Sequence, residues 1–396
     1  MRRERIRIVH VIARMNVGGP AHYVSLLGGL LDPLRYESLI VAGCVGPGEA
    51  SANGLALSYG ARLRTLEALG PEVRWGADLK STRKLVAILR RFRPHIVHTH
   101  TAKAGFTGRL AACMVTPRPI IVHTYHGHVL EGYFGPRKSE AYRRLEQAAG
   151  RVSDALVGVS QAVVDDLLRL GIAPASKFHA ISLGVDLEPF LQVDAAAGAG
   201  VRSELGMKTD DIVVTVGARL VAIKRIDVAL RALAMARPRD DRLRLLVAGN
   251  GELRNELESL AEELGVADHV RFLGYRFDVP AIAAATDIAM LTSDSEALGM
   301  WLVEAAAAGC PTLATNVGGI PDVVRAGCGG VTVPAGDPAR LADELVSLAA
   351  DHPRRQLMGA EGRAHVTRAF AVSRFVNDMD ELYGELLERR SSTYTK

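Results

Sequence analysis

Short apolar runs rich in β-branched residues alternate with longer stretches of helical periodicity along nearly the whole chain. In the first half, runs at 6–12, 38–42, 96–99, 120–124 and 155–159 predict strands, and the stretches 81–93 and 160–170 predict helices between them. Strand, helix and strand in series predict a parallel sheet covered on both faces. The stretch 187–201 interrupts this pattern. It holds Pro189 and the small-residue run Ala195-Ala-Ala-Gly-Ala-Gly200, and reads as a linker. The alternation then restarts, with strands at 212–216, 243–248, 270–273, 288–291 and 312–314 and helices at 228–236 and 253–264. A further helix at 300–308 is closed by Gly309 and kept from continuing by Pro311. The tail, 372–389, is helical and aligns Phe375, Met379, Leu382, Leu386 and Leu387 on one stripe. The pattern describes two tandem doubly wound α/β units, whose ligands would bind beyond the carboxyl ends of the strands.

Length agrees, since 396 residues exceed the usual size of one hydrophobic core. A net charge of +4 permits anionic substrates or an acidic membrane surface. With no aromatic-interleaved basic repeat, nucleic acid is not an expected partner. Cys44, Cys113, Cys310 and Cys328 are scattered and form no C-x-x-C pair, which disfavours a disulfide framework or zinc site and favours a reducing compartment. The apolar part of the first twelve residues is too short and too charged for a signal peptide, and no run of eighteen apolar residues occurs. The expected location is cytoplasmic. The basic amphipathic stretch 80–93 is the candidate for peripheral contact with the inner face of a membrane.

The candidate chemistry follows the strands. Glu296 lies in a polar turn after the strand at 288–291, and Glu304 lies two turns into the next helix, so a ligand on that helix N-terminus could meet both carboxylates. Arg219 and Lys224 follow Gly217 at the end of an earlier strand. Two fixed cations there can stabilise a departing diphosphate without metal, and the plain alternative is two solvated side chains. Gly249-Asn250-Gly251 sits at another strand-to-helix turn and lacks the third glycine of a dinucleotide fingerprint. Gly18-Gly19 follows the first strand and opens a helix. His123, His126 and His128 form one histidine group and His95, His98 and His100 another, but strand geometry rarely aims three rings at one point. Val157-Gly-Val-Ser-Gln-Ala162 is not a nucleophile elbow, no Walker sequence occurs, and Asp378 and Asp380 lie on the terminal helix as solvated surface, so no metal site is expected.

Taken in order, the glycine loop, His126-Gly127, Arg219 to Lys224, Gly249-Asn-Gly251 and Glu296-x7-Glu304 resemble the retaining family 4 glycosyltransferases of the GT-B fold over nearly the whole chain. The resemblance implies two Rossmann-like domains facing a cleft. Residues 1–190 would bind the acceptor, 191–371 would bind the nucleotide sugar, and the helix 372–396 would cross back to the first domain. It assigns Glu296 to the hydroxyls of the donor sugar, Glu304 to the ribose, Arg219 and Lys224 to the diphosphate, and His126 to the border of the reacting carbon. Gly18, Gly19, Gly249, Asn250, Leu298, Gly299 and Met300 would complete the donor site, with the backbone around Tyr275 and Arg276 reading the base. It implies a UDP-sugar co-substrate, no metal cofactor, and a small-molecule, lipid-linked or saccharide acceptor. The chain departs from the family pattern at Ala21, where an acidic residue is common, at Ala297-Leu298 in place of Gly-Phe, and at Leu183 in place of Asn. Alternatives on the same fold are a nucleotide-sugar epimerase or hydrolase, or a non-catalytic binder.

Overall fold

The computed structural model describes residues 4–16, 18–46, 50–70, 75–127, 135–326 and 329–394. Among them the alternation resolves into two seven-stranded sheets, every pairing parallel. The first contains β1 (Ile6–Ile12), β2 (Tyr36–Ala42), β3 (Leu63–Thr65), β4 (Ile96–His100), β5 (Ile120–Tyr125), β6 (Ala155–Gly158) and β7 (Phe178–Ala180), in the order β3-β2-β1-β4-β5-β6-β7. The second contains β8 (Ile212–Gly217), β9 (Leu243–Ala248), β10 (Val270–Gly274), β11 (Ile288–Leu291), β12 (Thr312–Thr315), β13 (Arg325–Ala326) and β14 (Gly329–Val333), in the order β10-β9-β8-β11-β12-β14-β13. Each order reverses beside the first strand of its sheet, between β1 and β4 and between β8 and β11. Loops diverge at such a point and leave room for a ligand at the strands' carboxyl ends.

Two compact units carry these sheets. One joins the residues up to Gly184 to those from Val372 onward, and the other is Val185–Ala371. The terminal helix Val372–Tyr394 therefore belongs with the first sheet. It buries Phe375, Met379, Leu382, Tyr383 and Leu386 almost completely, each worth about 2 kcal/mol of transfer free energy. Asp378 and Asp380 are paired rather than merely solvated. Asp378 accepts from Arg374 at 2.5 Å, and Asp380 accepts from Arg35 at 2.5 Å and from the Tyr36 hydroxyl, which holds the helix against β2.

The stretch 187–201 is not a linker. It forms the short helix Glu188–Leu191 and the helix Ala195–Glu204, and the Asp194 carboxylate caps the second by accepting from the Ala196 N–H at 3.0 Å. Its small residues serve packing, since a Cβ on Gly198 would lie 2.5 Å from the Ala284 carbonyl oxygen. The chain passes from unit to unit at 184–185 and 371–372 instead.

Candidate functional site

In the second unit, the loops leaving β8, β9, β10 and β11 carry the expected donor residues. Gly217 ends β8, and Arg219 then stands exposed with no ion-pair partner among the described residues. Lys224 closes a short 3-10 turn, and Arg225 opens the helix Ile226–Ala236 from a left-handed conformation (φ 47°). The Lys224 ammonium meets one Glu296 oxygen at 2.5 Å, and the Ser293 hydroxyl donates to the same oxygen at 2.7 Å. Both partners are largely buried, with 18% of the lysine and 9% of the glutamate side chain exposed. The pair thus spans the point where the strand order reverses, between β8 and β11.

Further bonds tie these two loops, and one more holds Arg225 within its own segment. Arg225 reaches Asp294 at 3.2 Å and its own neighbour Asp227 at 3.0 Å. The Asp294 N–H donates to Ile223 O at 2.9 Å, and the Thr292 hydroxyl donates to Arg225 O at 2.8 Å. Arg225, Thr292, Ser293 and Asp294 were not among the expected site residues. The polar run Thr292-Ser-Asp-Ser295 directly after an apolar strand was the available signal.

The glycines act by close approach. A Cβ on Gly249 (φ +142°) would fall 1.9 Å from Ala218 O, so only glycine brings the loop after β9 against the loop after β8. The Leu220 N–H then donates to Asn250 O at 3.0 Å, while the exposed Asn250 side chain accepts from the Gly251 N–H at 2.9 Å. Tyr275 is exposed. Arg276 is not free for a ligand: its guanidinium is held by Asp278 at 2.7 and 2.8 Å and by Glu204 at 2.6 Å, leaving its backbone to the role expected there.

The helix Met300–Ala307 starts from Gly299 in a left-handed conformation (φ 82°). Leu298, expected in the donor site, is buried, so its side chain is not open to a ligand. Trp301, which sequence reasoning passed over, donates its indole N–H to Thr215 O at 3.0 Å and fixes the helix start against β8. Glu304 lies in the second turn, partly buried, with no hydrogen-bond partner among the described residues. Burial pushes its carboxyl up to about 7.

The first unit holds the other candidates. Gly18 caps the helix Gly19–Leu30, and its carbonyl accepts from the His22 N–H at 3.1 Å. The two histidine groups do not gather as units. His95 accepts from the Arg7 N–H, His123 bonds Thr99 across the sheet at 2.9 Å, and His128 lies outside the described residues. His126 instead faces His100, ring nitrogens 3.3 Å apart, and packs edge-on against Tyr23 at 4.9 Å. Burial pushes its pKa down to about 3, so the ring is neutral.

A grouping absent from the sequence reading is His10, His98 and His100, each offering a ring nitrogen within 4.8 Å of the others. The register sets His10 directly beside His98, and His98 and His100, two apart on β4, share its face. Both nitrogens of His98 are already committed, to the Tyr383 hydroxyl at 2.6 Å and the Thr124 hydroxyl at 2.7 Å. The cluster therefore anchors the terminal helix, and His98 would have to give up one of these bonds to join His10 and His100 on a metal.

Comparison with known proteins bears on both units. The sequence model for glycosyl transferases group 1 matches residues 201–365, and that for glycosyltransferase family 4 matches residues 17–189. A D-inositol 3-phosphate glycosyltransferase of Xylanimonas cellulosilytica is 32% identical over 74% of this chain and 73% of its own. N-acetyl-alpha-D-glucosaminyl L-malate synthase of Bacillus anthracis is 26% identical over 78% and 80%. Among solved structures, HepE of Anabaena in complex with UDP and glucose superposes with a TM-score of 0.82 at 21% identity, covering 96% of this chain and 100% of that one.

Proposed function

Because this chain belongs to the group 1 glycosyltransferases, a GT-B enzyme family, we propose that it transfers a sugar from a UDP-sugar to an acceptor hydroxyl with retention and without a metal. The observation that carries this reading is the Lys224–Glu296 pair at the β8/β11 reversal, with Arg219 exposed on the same loop as Lys224 and without an ion-pair partner among the described residues. Negative charge grows on the β-phosphate as the bond from C1 of the sugar to the diphosphate oxygen breaks. Arg219 and Lys224, on the loop leaving β8, would hold it, the lysine sharing its three donors between Glu296 and the phosphate.

Glu296 has its own oxygens to offer. One is bonded to Lys224 and Ser293, and the other is left for a sugar hydroxyl. Glu304 takes the ribose. A carboxyl poised near neutrality can accept from a ribose hydroxyl once ionised, and that bond favours ionisation. Glycosyl transfer then proceeds by attack of the acceptor oxygen on the face the diphosphate leaves. A C1–O bond to the acceptor forms, and the acceptor's proton passes to the departing phosphate. His126, held neutral by burial, enters as a hydrogen-bonding group rather than as a charged acid.

Release of UDP from UDP-sugar, followed with and without acceptor and with and without EDTA, tests the reading. Release that requires an acceptor and survives EDTA is expected. Release without acceptor points to hydrolysis, and no release points to a binder.

A further inference from the structure

The two units differ sharply in charge. The first carries 29 Lys and Arg against 18 Asp and Glu, a net charge of +11, and the second carries 19 against 26, a net charge of −7. The mild total hides a strongly basic half, and that basic charge meets an unusual apolar surface.

The helix Ala102–Cys113 lies between the helices Trp75–Phe92 and Pro136–Val152, packing against both. Its inner side buries Ala104, Ala111 and Ala112 against the sheet. A helix so placed ordinarily turns charged residues outward. Here the outward positions are Ala102, Phe106, Leu110 and Cys113, followed by Met114, and none is charged. Phe106, Leu110 and Met114 recur every four residues along one stripe and are 40%, 46% and 51% exposed. Leu145 on the helix that follows adds a further side chain, 47% exposed. On the other side, the helix Trp75–Phe92 exposes Lys80, Arg83, Lys84 and Arg91, none with an ion-pair partner among the described residues. An apolar stripe beside unpaired cations is the pattern that lies in the plane of an anionic bilayer, the stripe entering the acyl boundary and the cations meeting headgroup phosphates.

We propose that this three-helix face of the first unit docks on the surface of an anionic phospholipid membrane, with Phe106, Leu110 and Met114 inserted and Lys80, Arg83, Lys84 and Arg91 on the headgroups. A second copy of this chain would bring the same +11 unit against itself, so the charge favours lipid over self-association. The inference rests on burial and charge and is independent of the donor-site reading.

The test is co-sedimentation of the full chain with vesicles of phosphatidylcholine alone or mixed with phosphatidylglycerol. Binding to the mixed vesicles, weak binding to the neutral ones and loss at high salt are expected. Leu110→Ser with Met114→Ser should lower the bound fraction, and Arg83→Glu or Lys84→Glu should each weaken binding by about fivefold or more. These side chains are exposed, so an unchanged melting temperature checks that each variant is folded, and a melting-temperature shift with UDP checks the second unit separately. Background binding to anionic vesicles, or variants that bind like the parent, would overturn the proposal. So would self-association on light scattering that Leu110→Ser abolishes, because a second copy would then own the stripe.

Discussion

Replacing Glu304 by Gln removes one ionisation and almost nothing else, so its effect on stability can be worked out in advance. The Glu304 carboxyl has no hydrogen-bond partner among the described residues, and burial raises its pKa from 4.5 to about 7. Between those values the folded chain holds a proton that the unfolded chain releases, so this group's contribution to stability falls as pH rises. Below pH 4.5 both states are protonated and Glu304 costs nothing. Above pH 7 both are ionised, and the cost reaches its full value. At about 1.4 kcal/mol per pKa unit, the shift corresponds to roughly 3 kcal/mol as an upper bound. Glutamine has the same shape and no charge. Glu304→Gln should therefore match the parent near pH 4.5 and be more stable at pH 8, by an amount that grows through the interval between. For a unit of this size, each kcal/mol moves the midpoint by about 2–4 °C, so a difference of up to roughly 6–12 °C is expected in the transition of the second unit. Scanning calorimetry of both proteins from pH 5 to pH 9 measures it. A difference that does not change with pH, or that favours the parent at pH 8, would mean the carboxyl is solvated or paired and would refute the reasoning.

Lys224→Ala and Arg219→Ala should each lower turnover by about 100-fold or more in folded protein, because preorganised charges facing a developing anion are large catalytic terms. Near-normal rates for both would remove them from the site. Titration with UDP by calorimetry should separate the glutamates: Glu304→Gln weakens binding of free UDP, whereas Glu296→Gln leaves it nearly unchanged while turnover falls, and the reverse pattern would exchange their roles. The first unit should be acid-sensitive. Burial lowers the pKa of His10, His98, His100 and His126 below 6.5, so stability is full above pH 6.5 and is lost as pH falls, at up to about 1.4 kcal/mol per pH unit for each ring. His10→Asn should make that decline shallower, and a first-unit transition unchanged between pH 7 and pH 5 would count against buried neutral rings.

The central strands were legible because buried parallel strands carry short runs of Val, Ile and Leu: β8, β9 and β11 are mainly apolar throughout, while β1, β4 and β5 keep such a run beside their polar His and Thr positions. The edge strands Leu63–Thr65, Phe178–Ala180 and Arg325–Ala326 were not, being two or three residues long and without a run to detect. The 187–201 stretch misled for a physical reason. Small residues suit a flexible linker and a closely packed helix equally, and only the approach of Gly198 to Ala284 separates the two. In the candidate site, motif order placed Lys224 and Glu296 on loops of the same sheet, but their direct pairing depends on β8 and β11 being neighbours. The same holds for His10. Nothing local marks it, and it joins His98 only through the pairing of β1 with β4.

The terminal helix has a consequence for how the molecule is made. Its apolar side covers Tyr23 and His98, whose helix and strand are complete by residue 100, yet Tyr383 and Met379 leave the ribosome only after the whole second unit. Synthesis runs from the amino end, so the second unit, whose residues are continuous, can close on itself while the first still waits. During that interval the face of the first sheet that receives residues 372–394 is open, with its unsatisfied imidazoles and aromatic surface in water. Residues made after the second unit are thus the latch of the first unit translated. A chain that stops short of Val372 leaves the amino-terminal half unfinished while its carboxy-terminal half has every residue it needs.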